Sequence, residues 1–153
     1  MSADIETHFL PSKGGKPAVG IVGFGKESVL LKAHVDGTFM LTHDFEVPME
    51  RSEITDLGQF LASAATSSVH DHYVRWSRVC SQGEDWFFTV WRARLHVCVN
   101  FNSFTAGYCA LTLPPEVATR VSETIEALLI AELTPPKQLP ELAGKPPTIN
   151  PRV

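Results

Sequence analysis

The chain has 153 residues, 44% of them hydrophobic and 20% charged, with a formal net charge of -4. That length and apolar share suit one folded domain and exclude wholesale disorder, which goes with few apolar and many charged residues. No window approaches the roughly 18 unbroken apolar residues of a membrane-spanning helix, and the net acidity argues against a basic coat over the whole surface.

Residues 1–17 read as an extended, polar N-terminal arm, with Asp4 and Glu6 where a signal peptide would be apolar. Cys80, Cys98 and Cys109 show no CxxC or regular spacing, so reduced thiols in a cytoplasmic compartment are expected. A single folded domain is expected over 18–133. In it, AVGIVGF from Ala18 and SVLLKAHV from Ser28 read as strands around a Gly25-Lys26-Glu27 turn. Gly20, Gly25 and Lys26 have the spacing of a phosphate loop. However, Glu27 stands where Ser or Thr would ligate magnesium, and a strand-like run follows, so the glycines are expected to serve a strand end or bulge.

Asp36-Gly37 between two β-type runs predicts a hairpin. A two-residue turn there would put Val29, Leu31, Ala33 and Val35 on the core face with Thr38, Met40 and Thr42. Lys32, His34, Phe39 and His43 would point the other way. Pro48 is expected to open a helix carried by Ile54, Leu57, Phe60, Leu61 and Ala64, with acid in its early turns, fading near Ser67-Ser68.

A strand is predicted at about Asp71–Cys80, then a turn over Ser81–Asp85. Trp86–Asn102 keeps a period of two over seventeen residues, longer than an ordinary strand. It reads either as one strand bent near Arg92–Arg94 or as two strands meeting at an unusual turn, and the bent strand is favoured. Ala106–Leu113 reads as a strand, and Pro114-Pro115-Glu116 opens a second helix with Val117, Val121, Ile125, Leu128 and Leu129 in one stripe. Residues 134–153 hold six of the eleven prolines and read as a tail. The expected fold class is α+β: antiparallel sheet with two helices, a strand-rich unit followed by a helix and duplicated as β-β-β-α-β-β-β-α. A short echo supports the duplication, Gly37-x-x-x-Leu41-Thr42 before Val47-Pro48-Met49-Glu50 against Gly107-x-x-x-Leu111-Thr112 before Leu113-Pro114-Pro115-Glu116.

Two constellations could carry chemistry. If Cys80 pairs with Trp86, His70 falls opposite His96 and His72 opposite Arg94. His70, His72, His96 and Cys98 would then offer three imidazoles and a thiolate, a ligand set suited to tetrahedral zinc. Edge or surface histidines are the simpler reading, and no cofactor is expected. The second constellation is a charge pattern. No carboxylate lies between Trp86 and Pro115, while Tyr73, Arg75, Trp76, Arg78, Trp91, Arg92 and Arg94 cluster in sequence. Exposed on a sheet, such residues would suit a protein interface or a single-stranded nucleic acid; buried, they would be core with arginines at its edge. With no catalytic signature, the expected function is a non-enzymatic module of accessory or viral type. It would self-associate or dock on another protein, with single-strand binding as the alternative and a metal- or thiol-dependent enzyme third.

Overall fold

Short alternating runs separated by turn residues make antiparallel meanders. The computed structural model describes residues 5–14, 16–34, 37–79, 86–103 and 107–133. In it, β1 (Ile5–Leu10), β2 (Ala18–Phe24), β3 (Glu27–Ala33), β4 (Phe39–Thr42) and β5 (Glu46–Met49) form one sheet in chain order. Helix α1 (Arg51–Thr66) and a 3-10 turn at Val69–Asp71 follow. A second sheet takes β6 (Val74–Arg78), β7 (Trp86–Arg92), β8 (Val97–Ser103) and β9 (Gly107–Leu113), again in chain order, and α2 (Pro115–Leu133) ends the described chain. The α+β class, the two antiparallel sheets and the strands-then-helix order are as the sequence predicts. The repeat is one strand longer than expected: β2–β5 with α1 matches β6–β9 with α2, and β1 is the addition. The tail at 134–153 and the turn at 81–85 lie outside the described residues.

The helices cross over. α1 packs on β6, β7 and β8, whereas α2 packs on β1, β2 and β3, and the two helices lie against each other. One continuous core results, in which Val22, Leu31, Leu41, Leu57, Phe88, Val99, Phe101 and Ile125 are all buried. Each strand contributes by parity, as AVGIVGF shows by burying Ala18, Gly20, Val22 and Phe24 and half-exposing the residues between. Glycine decides how closely the layers approach. A methyl group on Gly20 would run into Cγ2 of Thr124, so β2 can sit this near α2 only without a side chain there. That is the role of the first glycine of the loop-like spacing; Gly25, at φ +63°, makes the tight turn joining Phe24 to Glu27.

Four sequence expectations change. The hairpin after β3 pairs His34 with Thr38 through a 2.8 Å hydrogen bond, and Gly37 has φ +90°. Its loop therefore has three residues, and the extra one shifts the register. Phe39 and Leu41, rather than Met40 and Thr42, join Val29, Leu31 and Ala33 in the core. Pro48 lies not in α1 but in edge strand β5, where its missing N–H is harmless. The helix starts beyond it, with the Glu53 side chain accepting a 2.7 Å bond from the Glu50 amide. His43 is drawn inward: Nδ1 donates to the Ser28 carbonyl (2.8 Å), Nε2 is 3.2 Å from the Glu27 carboxylate, and the ring stacks on Phe24.

The fourth change concerns the longest run. Trp86–Asn102 is two strands, not one bent strand. Arg92 pairs with Val97, and the Ala93 amide bonds the His96 carbonyl at 2.8 Å, which leaves Arg94-Leu95 at the tip. Parity reverses across this tip. In β7 the even residues Phe88 and Val90 are buried, and in β8 the odd residues Val97, Val99 and Phe101 are. Leu95, read as part of the apolar face, is 69% exposed.

Candidate interaction surface

The helices cover one face of the β6–β9 sheet; the opposite face carries the side chains that parity turns away from them. From the register, that outer face presents Val74, Trp76 and Arg78 on β6, then Phe87, Thr89 and Trp91 on β7. Cys98, Asn100 and Asn102 follow on β8, and Ala110 and Thr112 on β9. Trp76 is 62% and Val74 52% exposed, and Trp76 meets the Phe87 ring edge-on at 6.5 Å. The patch is aromatic at the β6 side and neutral-polar toward β9. Large exposed rings on a rigid sheet are what an interface core uses.

The seven arginine and aromatic candidates divide into four groups. Trp76, Arg78 and Trp91 lie together on the outer face. Tyr73 and Arg75 fall on the helix side of β6, with the Arg75 guanidinium 4.7 Å from the centre of the Tyr73 ring and Nη1 donating to the Val74 carbonyl (2.8 Å). Arg94 is exposed at the β7–β8 tip. Arg92 turns inward. Its Nη1 donates to the carbonyls of Ala65 (2.9 Å) and Ala64 (3.3 Å), and its Nε to that of Ala93 (2.9 Å).

This makes Arg92 the cap of α1. The last turn of α1 has no basic residue, and the orphan carbonyls of a helix end favour a cation. Arg51 likewise reaches across to α2, donating from Nη2 to the Leu129 carbonyl in its last turns at 3.2 Å. Sequence reasoning missed both, because each guanidinium serves a helix remote from it in the chain.

The metal candidates are placed differently from the assumed register. β6 pairs with β7 one residue out of it, with Val79 opposite Trp86, and Cys80 itself lies outside the described residues. His70 lies in the 3-10 turn rather than in a strand, and His72 ends that turn at φ +52°. Neither occupies a β6 position opposite His96 or Arg94. Cys98 faces Trp91 on one side and Thr112 on the other. Among the described residues, no three His, Cys, Asp or Glu side chains gather closely enough to hold a metal ion. Burial pushes the thiols of Cys98 and Cys109 above their ordinary pKa, and at Cys98 a hydrogen bond with Thr112 works the other way.

Sequence reasoning also missed one polar pair at the sheet edge. The Ser77 hydroxyl donates to Asp56 Oδ2 of α1 at 3.1 Å, on the helix side of β6. The surface as a whole is thus a two-sided edge, with aromatic groups outside and Arg75 and the Ser77–Asp56 pair inside. No helix among the described residues is long and apolar enough to cross a membrane. No family model matches the chain, and neither a curated protein nor a solved structure is significantly similar to it.

Proposed function

We propose that this protein is a non-enzymatic interaction module that associates through the outer face and β6 edge of its second sheet. One observation carries this reading: Trp76 and Val74, side chains with strong reason to be buried, stand exposed on an edge strand beside Phe87 and Trp91. The neutral Thr89, Asn100 and Asn102 around them suit the polar part of a protein contact.

Single-stranded nucleic acid is the weaker alternative. It draws on the same exposed indole, but a phosphate-tracking groove needs several free cations. Arg92 is committed to α1, and among the described residues Arg78 is the single cation that the register turns to this face. The reading is tested by sedimentation and light scattering of the full chain against Trp76→Ala plus Trp91→Ala. Wild type should associate and the double variant should not. Binding to a single-stranded oligonucleotide that is lost with salt and with Arg78→Ala would instead favour the nucleic-acid reading.

A further inference from the structure

The internal repeat sets two edges against each other. In the first half, β2 bonds β3 on one side and accepts β1, antiparallel, on the other. In the second half, β6 occupies the place of β2 and bonds β7, but no strand among the described residues takes the place of β1. We infer that β6 is completed by β6 of a second copy, antiparallel about a two-fold axis at Trp76, so that two four-stranded sheets join into one of eight strands. This rests on the interaction reading above and names both its partner and its geometry.

The backbone is set for it. Hydrogen bonds from the Arg92 amide to the Tyr73 carbonyl (3.1 Å) and from the Val79 amide to the Trp86 carbonyl (3.0 Å) fix which β6 residues face β7. By antiparallel alternation, positions 73, 75, 77 and 79 bond β7, and Val74, Trp76 and Arg78 aim their N–H and C=O groups at the open edge. There the Val74 carbonyl now accepts from Arg75 Nη1 and would exchange that bond for the Arg78 amide of the second copy. Pairing centred on Trp76 makes Trp76 a hydrogen-bonded pair with its own copy and Val74 one with Arg78 of the other chain.

The side chains are self-complementary in that register. Arg75 falls opposite Ser77 of the second copy, and both lie on the helix side. Ser77 is the residue already bonded to the Asp56 carboxylate. Each dimer would therefore set Arg75 beside a Ser77–Asp56 pair twice, a cation meeting an anion across a non-hydrogen-bonded position where side chains approach most closely. On the outer side the two indoles meet, and Val74 packs along the stem of Arg78. No like charges oppose each other. An edge strand in a monomer is usually blunted by proline, a bulge or inward-pointing charge. VRWSR has neither proline nor bulge; its charges are Arg75 and Arg78, each with an uncharged residue opposite it in this register, and its exposed members include valine and tryptophan. The chain's own tail is a poor alternative occupant. Six prolines within 134–153 leave few N–H donors in succession for a ladder.

The full chain should show a monomer–dimer equilibrium in sedimentation. Trp76→Pro removes an amide that points away from β7 and should raise the dimer dissociation constant at least about tenfold. Arg75→Glu and Asp56→Lys should each weaken the dimer, and the double exchange should restore it. Trp76→Cys should form a 76–76 disulfide under mild oxidation, since paired strands bring Cα atoms within about 5.5 Å. A dimer indifferent to Trp76→Pro and lacking that cross-link would overturn the edge pairing; its loss on Trp91→Arg would leave the face reading standing. A chain that stays monomeric throughout overturns the inference. Amide protection of β6 that disappears on removing 134–153 would assign the edge to the tail and overturn it too.

Discussion

The first sheet begins with β1, which closes the outer edge of β2, whereas the second begins with β6, whose corresponding edge has no strand beside it among the described residues. Both halves follow the same plan of meander and helix, and each helix lies on the other half's sheet. The difference at the edges shows how one plan yields a half with an added edge strand and a half without one. β1 covers β2 with a strand whose residues 6–10 are all exposed, Phe9 and Leu10 among them, and its ladder satisfies the β2 backbone on that side. At β6 no such strand intervenes among the described residues, and Val74 and Trp76 are exposed on the strand that α1 packs against.

The largest way to break this comparison is to invert the faces of the second sheet. Phe88 is fully buried, touching the rings of Phe60 and Phe101 at 6.0 and 5.8 Å. Phe88→Ala should cost about 3–5 kcal/mol in urea unfolding. Trp76→Ala, on the outer face, should change monomer stability by no more than about 0.5 kcal/mol. Equal losses would mean that the outer face is held as firmly as the core.

Within the first half, Gly20 and Gly23 separate contact from space. Gly20→Ala drives a methyl into Thr124 and should cost about 1–3 kcal/mol by overpacking, with part regained in the Gly20→Ala, Thr124→Ser double variant. Gly23 lies on the other face, where an added Cβ would meet backbone oxygens no closer than 3.8 Å. Gly23→Ala should be neutral or slightly stabilising. A third comparison isolates the arginines. Arg92→Ala should lose about 1–2 kcal/mol by uncovering the α1 carbonyls, while Arg94→Ala should stay within about 0.5 kcal/mol. Thermal melts of the two variants would decide it.

Much of this fold was legible because period and punctuation agree. Ile54, Leu57, Leu61 and Ala64 at helical spacing, and Pro115 at the first position of α2, left little choice. What failed was register. A β-strand pattern looks the same when a turn is one residue longer, as at Gly37, yet that residue turns Phe39 from solvent to core. At Arg94-Leu95 the turn lacks Gly, Asn, Asp and Pro, and the unbroken alternation concealed both the turn and the reversal of parity across it. The candidate surface was legible only as composition. Trp76, Arg78 and Trp91 belong together through the pairing of β6 with β7, and Arg92 departs from them for a helix 27 residues earlier.

The smallest expected effect lies at the centre of the open face. Cys98 sits between Trp91 and Thr112, and burial raises its thiol pKa while the Thr112 hydrogen bond lowers it. Thr112→Val removes the lowering interaction, so the thiol should titrate at still higher pH. This is read from the pH dependence of iodoacetamide alkylation in a Cys80→Ser, Cys109→Ala background. The sign for stability follows: a folded-state pKa above the unfolded one favours the neutral thiol, so the contribution is present below the unfolded pKa near 9 and is lost as pH rises through the folded value. Association through this sheet should slow alkylation at a fixed pH by limiting access, without reversing the order of the two variants. If Thr112→Val lowered the apparent pKa instead, the hydrogen bond would be favouring the thiol over the thiolate, and the polar side of the face would be arranged differently from its aromatic side.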